Sequence, residues 1–399
     1  MFQESCEVVY GLETFCENPE RFIKPSQRIG LLLNQASVDS NLRLAADVIA
    51  ESCPGQLRCL FSPQHGIWGE QQANMLESPH GTYSKLNIPV FSLYSQTRKP
   101  DPEMLEDIDC LIVDLQDVGT RVYTFIWTLL EVLRACAEHG KSVIVLDRPN
   151  PLGGQVIEGP LLDINFISFV GGWTIPMRHA LTMGEIAMLL VAELAIDVEL
   201  SVVPMQGWRR SFYFDQLNRH WMWPSPNMPA FTTTLLYPGQ VLLEGVNLSE
   251  GRGTTRPFEV IGAPFVDSAL WLRLLSEFDM PGIKLLPTRF QPTFDKWKQE
   301  GCLGLDIRII DRNQARSFSM TIAMLATAAK LFSQFAWLPP PYEYEYIKPP
   351  IDILYGNSEL RETIELYRRG ECERSVVEQL AVGHEELWRQ RTEDCLIYN

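Results

Sequence analysis

Short apolar runs alternate with segments of helical periodicity along the first half of the chain. The runs at residues 28–35 (RIGLLLNQ), 109–117 (DCLIVDLQD) and 141–151 (KSVIVLDRPNP) are almost continuously apolar, as expected for strands buried on both faces. Residues 41–52 and 124–140 have the periodicity of amphipathic helices. Further strands are predicted at LRCLFSP, PVFSLY and ELSVVPM, and a further helix at TMGEIAMLLVAELA. This alternation predicts an α/β fold with helices on both faces of a parallel sheet.

The pattern changes near Trp221, where loops rich in Pro, Gly, Asn and Thr begin. A predicted strand at 304–311 and a predicted helix at 314–334 follow these loops. The segment 338–350 (LPPPYEYEYIKPP) is predicted to be rigid and extended, because proline fixes its own backbone and restricts its neighbour. We therefore expect two domains, residues 1–230 with the parallel sheet and residues 231–399 as a smaller α+β lobe.

Composition narrows the class of protein. The chain has 399 residues, 46% of them hydrophobic, which is enough for a large core. No apolar run approaches the roughly 20 residues of a membrane span, and the N-terminus lacks a basic start followed by an apolar core. A cytoplasmic protein is therefore expected. The net charge of -16 disfavours nucleic acid as a partner, so any anionic ligand must be met by a few placed arginines.

Neither a metal nor an organic cofactor is expected. The nine cysteines are scattered without a C-x-x-C pair, which predicts reduced and mostly buried thiols. The H-E-x-x-H motif is absent and the six histidines lie far apart in sequence. No G-x-G-x-x-G follows a predicted strand, and no glycine-rich loop ends in the Lys-Ser/Thr of a phosphate loop.

Polar side chains cluster where four predicted strands end. The carboxyl ends of parallel strands meet at one edge of a sheet, where α/β proteins bind ligands. Charged groups on separate loops would converge there on one site. The candidates at these exits are Asn34, Gln64, His65, Glu70, Asp114, Asp117, Arg121, Tyr123, Arg148 and Asn150.

Purely structural roles compete with these assignments. Asp114 and Asp117 could form salt bridges or cap a helix, and Asn150 is a good turn former. Arg148 offers a planar donor fork that suits a carboxylate ligand. His65, beside Gly66 on a polar loop, could change its charge near neutral pH or simply bind a loop carbonyl.

The remaining candidates lie further along the chain. SEGRGTTRPFE places Glu250, Arg252 and Arg256 among glycines, which allow a close backbone approach to a ligand. Arg178 lies in IPMRHALTMGE, where Glu185 is expected to stabilise a helix N-terminus.

Three aromatic residues could form a wall that faces a sugar: Trp221, Trp223 and Tyr237. Core packing is the alternative, and we expect it for at least two of the three.

Eight segments together resemble the exo-β-N-acetylmuramidase NamZ family. They are FSPQHG, SLYSQTRKPDPEML, DLQDVGTRVYTF, LDRPNPLGG, EGP, WPSPNMP, YPGQVLLEGVNLSEGRGTTRPFEVIGAP and FQPTFDKW. They stand in the order typical of the family and extend over nearly the whole chain.

The resemblance implies a Rossmann-like domain joined to a smaller one, with a cleft between them. It also implies release of N-acetylmuramic acid from the non-reducing ends of peptidoglycan fragments, without nucleotide or metal, during wall turnover or recycling. Asn227 of WPSPNMP would then belong to the substrate site. The lactyl carboxylate of N-acetylmuramic acid would explain several arginines near the cleft, namely Arg121, Arg148, Arg178, Arg252 and Arg256.

One position departs from the family pattern. Many relatives read Pro-Glu-His-Gly, and that glutamate is the natural catalytic candidate. This chain has Gln64, which cannot exchange a proton near neutral pH. We therefore expect Glu70, the nearest carboxylate, to act as the acid, with Gln64 and His65 as hydrogen-bonding supports.

A glycosidase usually needs a protonated carboxyl and a second group that stabilises the oxocarbenium-like centre. Asp117 or Asp114 could activate water, act as nucleophile or assist the acetamido group of the substrate, and Asp117 is the preferred candidate. The function expected from the sequence is therefore that of an exo-acting glycosidase of muropeptide fragments. The alternatives are a hydrolase of another amino sugar and a muropeptide-binding protein without turnover. The sequence does not indicate an oligomeric state.

Overall fold

The computed structural model describes residues 7–72 and 76–399, and all elements below lie in this part of the chain. The strands are β1 (Ile29–Leu33), β2 (Leu57–Ser62), β3 (Gly81–Tyr83), β4 (Ile88–Ser92), β5 (Cys110–Asp114), β6 (Ser142–Leu146), β7 (Glu158–Leu161), β8 (Pro176–Arg178), β9 (Leu200–Val203), β10 (Val260–Ala263), β11 (Ile283–Phe290) and β12 (Cys302–Ile309). The helices are α1 (Gly11–Glu17), α2 (Ala45–Ser52), α3 (Pro102–Leu105), α4 (Phe125–Glu138), α5 (Met183–Glu193), α6 (Phe231–Gln240), α7 (Ser268–Leu275), α8 (Ser317–Leu331), α9 (Pro350–Tyr355), α10 (Glu359–Arg369), α11 (Arg374–Gln379) and α12 (Glu385–Thr392).

A seven-stranded sheet with the order β3-β4-β2-β1-β5-β6-β9 forms the first domain. All neighbouring strands are parallel except β3, which pairs antiparallel with β4 at the edge. Side chains of β1 alternate between two cores. Ile29, Leu31 and Leu33 pack with residues of α1 and α2, whereas Leu32 joins the core that contains α4 and α5. The predicted α/β class with helices on both faces is confirmed.

The smaller part of the fold is built on antiparallel pairing. Strands β10, β12 and β11 form a three-stranded antiparallel sheet that packs with α7 and α8. A separate antiparallel ribbon of β7 and β8 lies between β6 and β9 in sequence. In the described residues, 7–72 and 76–399, no helix is long and apolar enough to cross a membrane. The eight cysteines of that part are free thiols, and six of them are buried, as predicted.

The start of one helix differs from its predicted position. Helix α2 begins at Ala45 rather than near Asn41, because Val38 bridges Leu44 and the Asp39 side chain accepts hydrogen bonds from the backbone of the intervening turn.

Helix α6 lies where the sequence predicts loops. It forms although it contains Pro238 and Gly239. A Cβ on Gly239 would lie 1.9 Å from the carbonyl oxygen of Ser317 on α8, so only glycine permits the two helices to approach this closely. Close helix packing, which the local sequence does not reveal, selects the helix.

The end of the chain returns to the first domain. The Tyr398 hydroxyl donates a 2.7 Å hydrogen bond to Asp147, at the end of β6, and the Trp388 indole donates to the His179 carbonyl at 2.9 Å. Burial raises the pKa of the Asp147 carboxyl to about 6, although hydrogen bonds from Tyr398, Gly184 and Thr182 oppose the shift. The C-terminal segment is therefore part of the structural support of the first domain.

Arg121 links the first domain to the C-terminal helices. It is fully buried, and its guanidinium donates to four backbone carbonyls: Pro160 and Ile175 at 3.1 Å each, Leu354 at 2.7 Å and Tyr355 at 2.9 Å. The last two carbonyls end α9, where a helix leaves acceptors unpaired and favours a cation. Both terminal nitrogens of Arg121 are thus committed to backbone carbonyls, which gives the residue a structural role. The substrate-binding role predicted for it stays a prediction.

Replacing Arg121 with methionine should lower the stability of the fold. Four buried carbonyls would lose their donor, and we expect the free energy of unfolding to fall by about 3 kcal/mol or more. Urea unfolding followed by circular dichroism measures the change. The control is Arg58→Met on an exposed position of β2, expected to change stability by less than about 0.5 kcal/mol. Equal midpoints for the two variants would contradict the role given to Arg121.

Candidate functional site

A cavity opens where the carboxyl ends of β2, β4 and β5 face the second domain. The first domain contributes the loops after β2 and β5, and the second contributes α6, the glycine-rich loop after it and the segment before α9. An apolar part is formed by Val122, Val170, Met228, Tyr237 and Phe258. The polar part consists of Gln64, His65, Tyr123, Thr124, Ser225, Asn227, Glu244, Arg252, Tyr342 and Glu343.

Gln64 lies at the centre of the polar part. Its amide oxygen accepts a 2.7 Å hydrogen bond from the hydroxyl of Thr124, the residue just before α4. Its amide nitrogen donates to Oε1 of Glu343 over a long 3.4 Å. The second carboxyl oxygen of Glu343, Oε2, accepts from the Tyr94 hydroxyl at 3.0 Å. The exits of β2 and β4 thus hold a glutamate that comes from the second domain.

Glu343 sits at the tip of a tight turn. Tyr342 and Glu345 exchange two backbone hydrogen bonds of 2.9 Å, and the two central residues, Glu343 and Tyr344, have φ values of 42° and 67°. Positive φ at both central positions is a feature of the type I′ turn, which favours Asn-Gly. For Glu and Tyr the left-handed region costs about 1 kcal/mol or more each. Surrounding contacts must therefore hold the turn in this conformation.

Arg98 supplies one such contact. Its guanidinium carbon lies 4.2 Å from the ring centroid of Tyr94 and 4.5 Å from that of Tyr344, so the cation is placed between the two rings. Cation–π contacts of this kind contribute about 0.5–2 kcal/mol, more when they are desolvated. They connect the loop after β4 to the turn that carries Glu343.

The environment of Glu343 favours its protonated form. The residue is only 4% exposed. Burial raises the pKa of its carboxyl to about 7, and the negative charge of Glu244 adds to the shift, while the hydrogen bonds from Tyr94 and Gln64 and the charge of Arg252 oppose it. A carboxyl with this pKa can carry a proton near neutral pH.

Glu244 and Arg252 belong to a buried ionic cluster beside Glu343. Arg252 pairs with Glu244, and its Nε lies 3.3 Å from Oε1 of Glu250. Lys296 binds the other oxygen of Glu250 at 2.7 Å. The Tyr342 hydroxyl, at the base of the turn, donates to Glu244 at 2.6 Å. Two cations and two carboxylates leave this cluster neutral overall.

His65 lines the cavity as a neutral ring. Its Nδ1 lies 2.6 Å from the Gln71 carbonyl, which can only accept, so Nδ1 carries the proton and Nε2 is left as an acceptor. Burial lowers the pKa of His65 to about 4, and the charge of Arg252 contributes to the lowering. The predicted change of charge near neutral pH is therefore not supported, whereas the alternative, a hydrogen bond to a loop carbonyl, is present. The residue has φ 74°, beside Gly66 at 77°.

The structure brings together five of the residues predicted for the site: Gln64, His65, Tyr123, Asn227 and Arg252. The Asn227 side chain also donates to the Gln72 carbonyl at 3.2 Å and so ties two of the lining loops together. Tyr123 packs edge-on against Tyr237, with centroids 6.2 Å apart.

Glu70 and Asp117 do not line the cavity formed by the described residues. Glu70 is exposed to solvent, so its position does not favour the acid role expected for it. Asp117 is buried, accepts a 2.6 Å hydrogen bond from the Gly119 backbone and lies 3.4 Å from Nε2 of His179. His179 accepts from the Leu181 backbone through Nδ1, which leaves the proton on Nε2 facing Asp117. These contacts engage Oδ2, whereas Oδ1 of Asp117 is buried without a hydrogen-bond partner among the described residues, and the catalytic role predicted for Asp117 stays a prediction.

Asp114 and Arg148 form a buried pair under the edge of the sheet. Arg148 donates through two nitrogens to the Asp114 carboxylate and through Nη2 to the Val38 carbonyl at 3.0 Å. Asp114 is completely buried at the end of β5. The two side chains satisfy each other, so Asp114 has a salt-bridge partner, although this partner is Arg148 and not a residue of its own loop. The substrate-binding roles predicted for both stay predictions.

Four further candidates also have structural partners. Arg178 pairs with Glu158 at 3.0 Å and donates to the Leu152 carbonyl at 2.7 Å. Asn150 donates to the Leu181 carbonyl at 2.9 Å, and Asn34 donates to the Pro224 carbonyl at 2.7 Å. Glu250 lies beneath Arg252, as described above. These side chains position the loops around the cavity instead of lining it.

Three other sequence-based interpretations have clear outcomes. Glu185 caps α5 as predicted: its carboxylate accepts from the Thr182 backbone at 2.9 Å, and the Thr182 hydroxyl accepts from the backbone of Glu185. Arg256 pairs with Asp306 away from the cavity. Of the three aromatic residues proposed as a sugar-facing wall, Tyr237 lines the cavity, Trp221 packs against the core and Trp223 is exposed.

The sequence-based interpretation missed four polar residues that the structure places together at the cavity: Tyr94, Glu244, Tyr342 and Glu343. Tyr94 and Glu244 stand inside segments already quoted for the family resemblance, SLYSQTRKPDPEML and YPGQVLLEGVNL. The repeated Tyr-Glu of YEYEY between prolines was a signal for Glu343, since acidic residues flanked by aromatic rings are unusual in a simple spacer. Its two-residue turn could not be foreseen, because neither Glu nor Tyr favours positive φ.

Comparison with known proteins identifies the class to which this fold and cavity belong. The models of the N-terminal and C-terminal domains of the exo-β-N-acetylmuramidase NamZ match residues 29–232 and 235–398. The chain therefore belongs to the NamZ family of exo-β-N-acetylmuramidases, which confirms the resemblance seen in the sequence.

Individual relatives agree with this assignment. The peptidoglycan β-N-acetylmuramidase NamZ of Bacillus subtilis (strain 168) is 40% identical over 362 residues, which cover 90% of this chain and 84% of the relative. A crystal structure of a DUF1343 family protein from Bacteroides fragilis NCTC 9343 has a TM-score of 0.86 at 29% identity and covers 99% of this chain and 100% of that one. A second DUF1343 protein from the same organism, with a TM-score of 0.76 at 24% identity, covers 98% and 99% and shares the fold.

The pKa of Glu343 predicts an unusual effect of pH on stability. Because the carboxyl has a pKa of about 7 in the folded chain and an ordinary value of 4.5, the folded state binds more protons between these values, and stability falls as pH rises through 7. Glu343→Gln removes the ionisation. Relative to that of the unchanged chain, the free energy of unfolding of this variant should rise by up to about 3 kcal/mol between pH 5 and pH 8. Thermal unfolding at both pH values measures the effect.

The matched control for this measurement is Glu345→Gln in the same turn. The Glu345 carboxylate accepts backbone hydrogen bonds from Ile347 and Lys348, which lower its pKa. Replacing Glu345 should therefore give no gain in the free energy of unfolding at pH 8. The same pH response in both variants would show that Glu343 is not the group responsible.

Proposed function

We propose that this chain is an exo-acting glycosidase that releases N-acetylmuramic acid from the non-reducing end of peptidoglycan fragments. The observation that carries the proposal is the cavity between the domains, which holds Glu343, Glu244 and Arg252 in a chain of the NamZ family. The named activity of the Bacillus subtilis relative at 40% identity supports the same reaction.

The lining of the cavity carries the kinds of group that recognise a sugar. Tyr237, with Phe258 packed edge-on against it at 4.9 Å, offers an apolar surface of the kind that packs on a pyranose ring, while Asn227, Ser225 and Gln64 offer hydrogen-bonding groups for hydroxyls and the acetamido group. Residues from both domains surround the space, which favours a chain end over the middle of a glycan strand.

Arg252 is the arginine that we assign to the lactyl carboxylate. Of the five arginines predicted from the sequence, it alone belongs to the described lining of the cavity. Its guanidinium also lies 5.4 Å from the Phe258 ring centroid, which fixes its plane beside the apolar wall. A planar guanidinium binds a carboxylate with directional hydrogen bonds.

Several attributes of the protein remain proposals. We propose a role in cell-wall recycling with muropeptide fragments as substrates, and a cytoplasmic location, which fractionation of cells would test. We also propose that the chain divides near residue 230, where α6 begins and where the two family models meet.

The activity itself is tested with defined substrates. We expect release of 4-nitrophenol from the β-glycoside of N-acetylmuramic acid and cleavage of the disaccharide N-acetylmuramic acid–N-acetylglucosamine. A longer fragment with a terminal N-acetylmuramic acid should yield the monosaccharide and a chain shortened by one sugar, detected by mass spectrometry. Release only from an N-acetylglucosamine glycoside would indicate a hydrolase of another amino sugar. Saturable binding without release would indicate a binding protein instead of an enzyme.

Substitution of Arg252 should change the choice of substrate. Arg252→Lys keeps the positive charge near Glu244 and Glu250 but loses the planar donor fork, so KM for the N-acetylmuramic acid glycoside should rise about tenfold. An N-acetylglucosamine glycoside, which lacks the carboxylate, should show no comparable change. The control is Arg256→Lys, four residues along the same loop and outside the cavity. Equal changes for both substrates would contradict the contact with the carboxylate.

A further inference from the structure

We propose that Glu343 is the general acid of the reaction and that this acid is supplied by the second domain because the β2 exit carries Gln64. The proposal rests on the glycosidase function proposed above. It names a different residue from Glu70, the acid expected from the sequence. Glu343 lines the cavity and is held by both domains, whereas Glu70 is exposed.

The hydrogen bonds of Glu343 leave one oxygen suited to proton transfer. Oε2 is engaged by the Tyr94 hydroxyl at 3.0 Å, which fixes the carboxyl plane. Oε1 has a weaker partner, the Gln64 amide at 3.4 Å, beyond the usual range of about 2.7–3.2 Å for a strong N–H···O bond. A sugar oxygen that enters the cavity can therefore compete for Oε1. The Gln64 side chain is itself fixed by Thr124, so the geometry around Oε1 is preorganised.

The strained turn supports a functional role for this residue. Positive φ values at Glu343 and Tyr344 are retained although other residue types would adopt them at lower cost. Contacts of Arg98 with Tyr94 and Tyr344 hold the turn against the first domain, and the hydrogen bond from Tyr342 to Glu244 holds its base within the second domain. Backbone strain that is maintained by several surrounding contacts is common where a side chain must be aimed at a ligand.

The charges around Glu343 keep its proton available. The charged groups that face it are Glu244, which favours protonation, and Arg252, which opposes it; Lys296 and Glu250 complete a neutral cluster behind them. Other titratable groups at the described cavity include Tyr94, Tyr123, Tyr237, Tyr342 and His65. Burial raises the pKa of each of the four tyrosines above its ordinary value, and burial lowers the pKa of His65 to about 4, so this ring is neutral at higher pH. A bound lactyl carboxylate adds one negative charge, which further favours protonated Glu343.

The step balances with one water. Glu343 donates its carboxyl proton to the glycosidic oxygen while the bond from that oxygen to the anomeric carbon breaks, and the bonding electrons leave with the oxygen as the alcohol of the next sugar. The oxygen of a water then bonds to the anomeric carbon, and the proton lost from this water returns the Glu343 carboxylate to its acid form. The net reaction consumes one water and releases N-acetylmuramic acid.

The test uses substrates that differ in their need for an acid. Cleavage of the disaccharide expels a poorly acidic sugar hydroxyl and depends on proton donation, whereas a 2,4-dinitrophenyl glycoside of N-acetylmuramic acid expels a stable phenolate and does not. Glu343→Gln should reduce kcat/KM by about a hundredfold or more for the disaccharide. The reduction for the dinitrophenyl glycoside should remain below about tenfold. The amide is nearly isosteric with the carboxyl, and thermal unfolding checks that the variant is folded.

Two matched variants and a pH profile complete the test. Glu345→Gln, in the same turn, and Glu70→Gln should both retain activity on the disaccharide. In the unchanged protein kcat/KM should fall above about pH 7, where Glu343 loses its proton, and this descending limb should be absent in Glu343→Gln acting on the dinitrophenyl glycoside.

The outcomes separate the acid role from the proposed function. Full activity of Glu343→Gln on the disaccharide, or an equal loss on both substrates, would overturn the acid role while the glycosidase function stands. A loss specific to the disaccharide in Glu70→Gln would transfer the role to Glu70. Failure of the unchanged protein to cleave any N-acetylmuramic acid glycoside would overturn the function and the acid role together.

Discussion

The candidate site depends on the contact between one turn of the second domain and two strand exits of the first. Glu343 enters this contact as a buried carboxyl, and a buried carboxyl must either be compensated or carry a proton. Here the compensation is partial: Tyr94 and Gln64 offer hydrogen bonds, Arg252 offers charge at a distance, and Glu244 works against ionisation. The result is a group whose protonation is balanced near neutral pH, which is the property that acid–base chemistry needs.

Arginine has two different uses in this fold. Arg121 is buried among backbone carbonyls, and Arg148 is buried against the Asp114 carboxylate. In both cases the guanidinium hydrogen bonds connect elements that are distant in sequence. Arg252 belongs to the cavity, and its charge is shared with Glu244 and Glu250. In a chain of net charge -16, the proposed anionic substrate would thus meet Arg252 within a neutral ionic cluster instead of a basic surface. An arginine in a polar loop therefore gives no indication of function until its partners are known.

The change from glutamate to Gln64 is easier to understand in the context of its neighbours. A second carboxyl 3.4 Å from Glu343 would repel it when both were ionised, so such a pair would share a proton. The amide removes this coupling and keeps the shape of the loop through its bond with Thr124. Glu343 is then not coupled to a second carboxyl at position 64. In the proposed mechanism the proton donor therefore belongs to the second domain.

The sequence by itself determined the parallel sheet, most of its strands, the glycine-rich loop and the family, because hydrophobic periodicity and long motifs are local properties of the chain. It also predicted that polar groups would gather at the strand exits, and Gln64, His65 and Tyr123 do so. Only the tertiary structure decided which of them face the cavity. Asp114 is paired with Arg148, and Arg121 binds carbonyls at the end of α9. Glu343, which contacts Gln64, lies 279 residues further along the chain. Such pairings depend on which side chains are buried and on which partners folding brings together, and neither can be predicted from local sequence patterns.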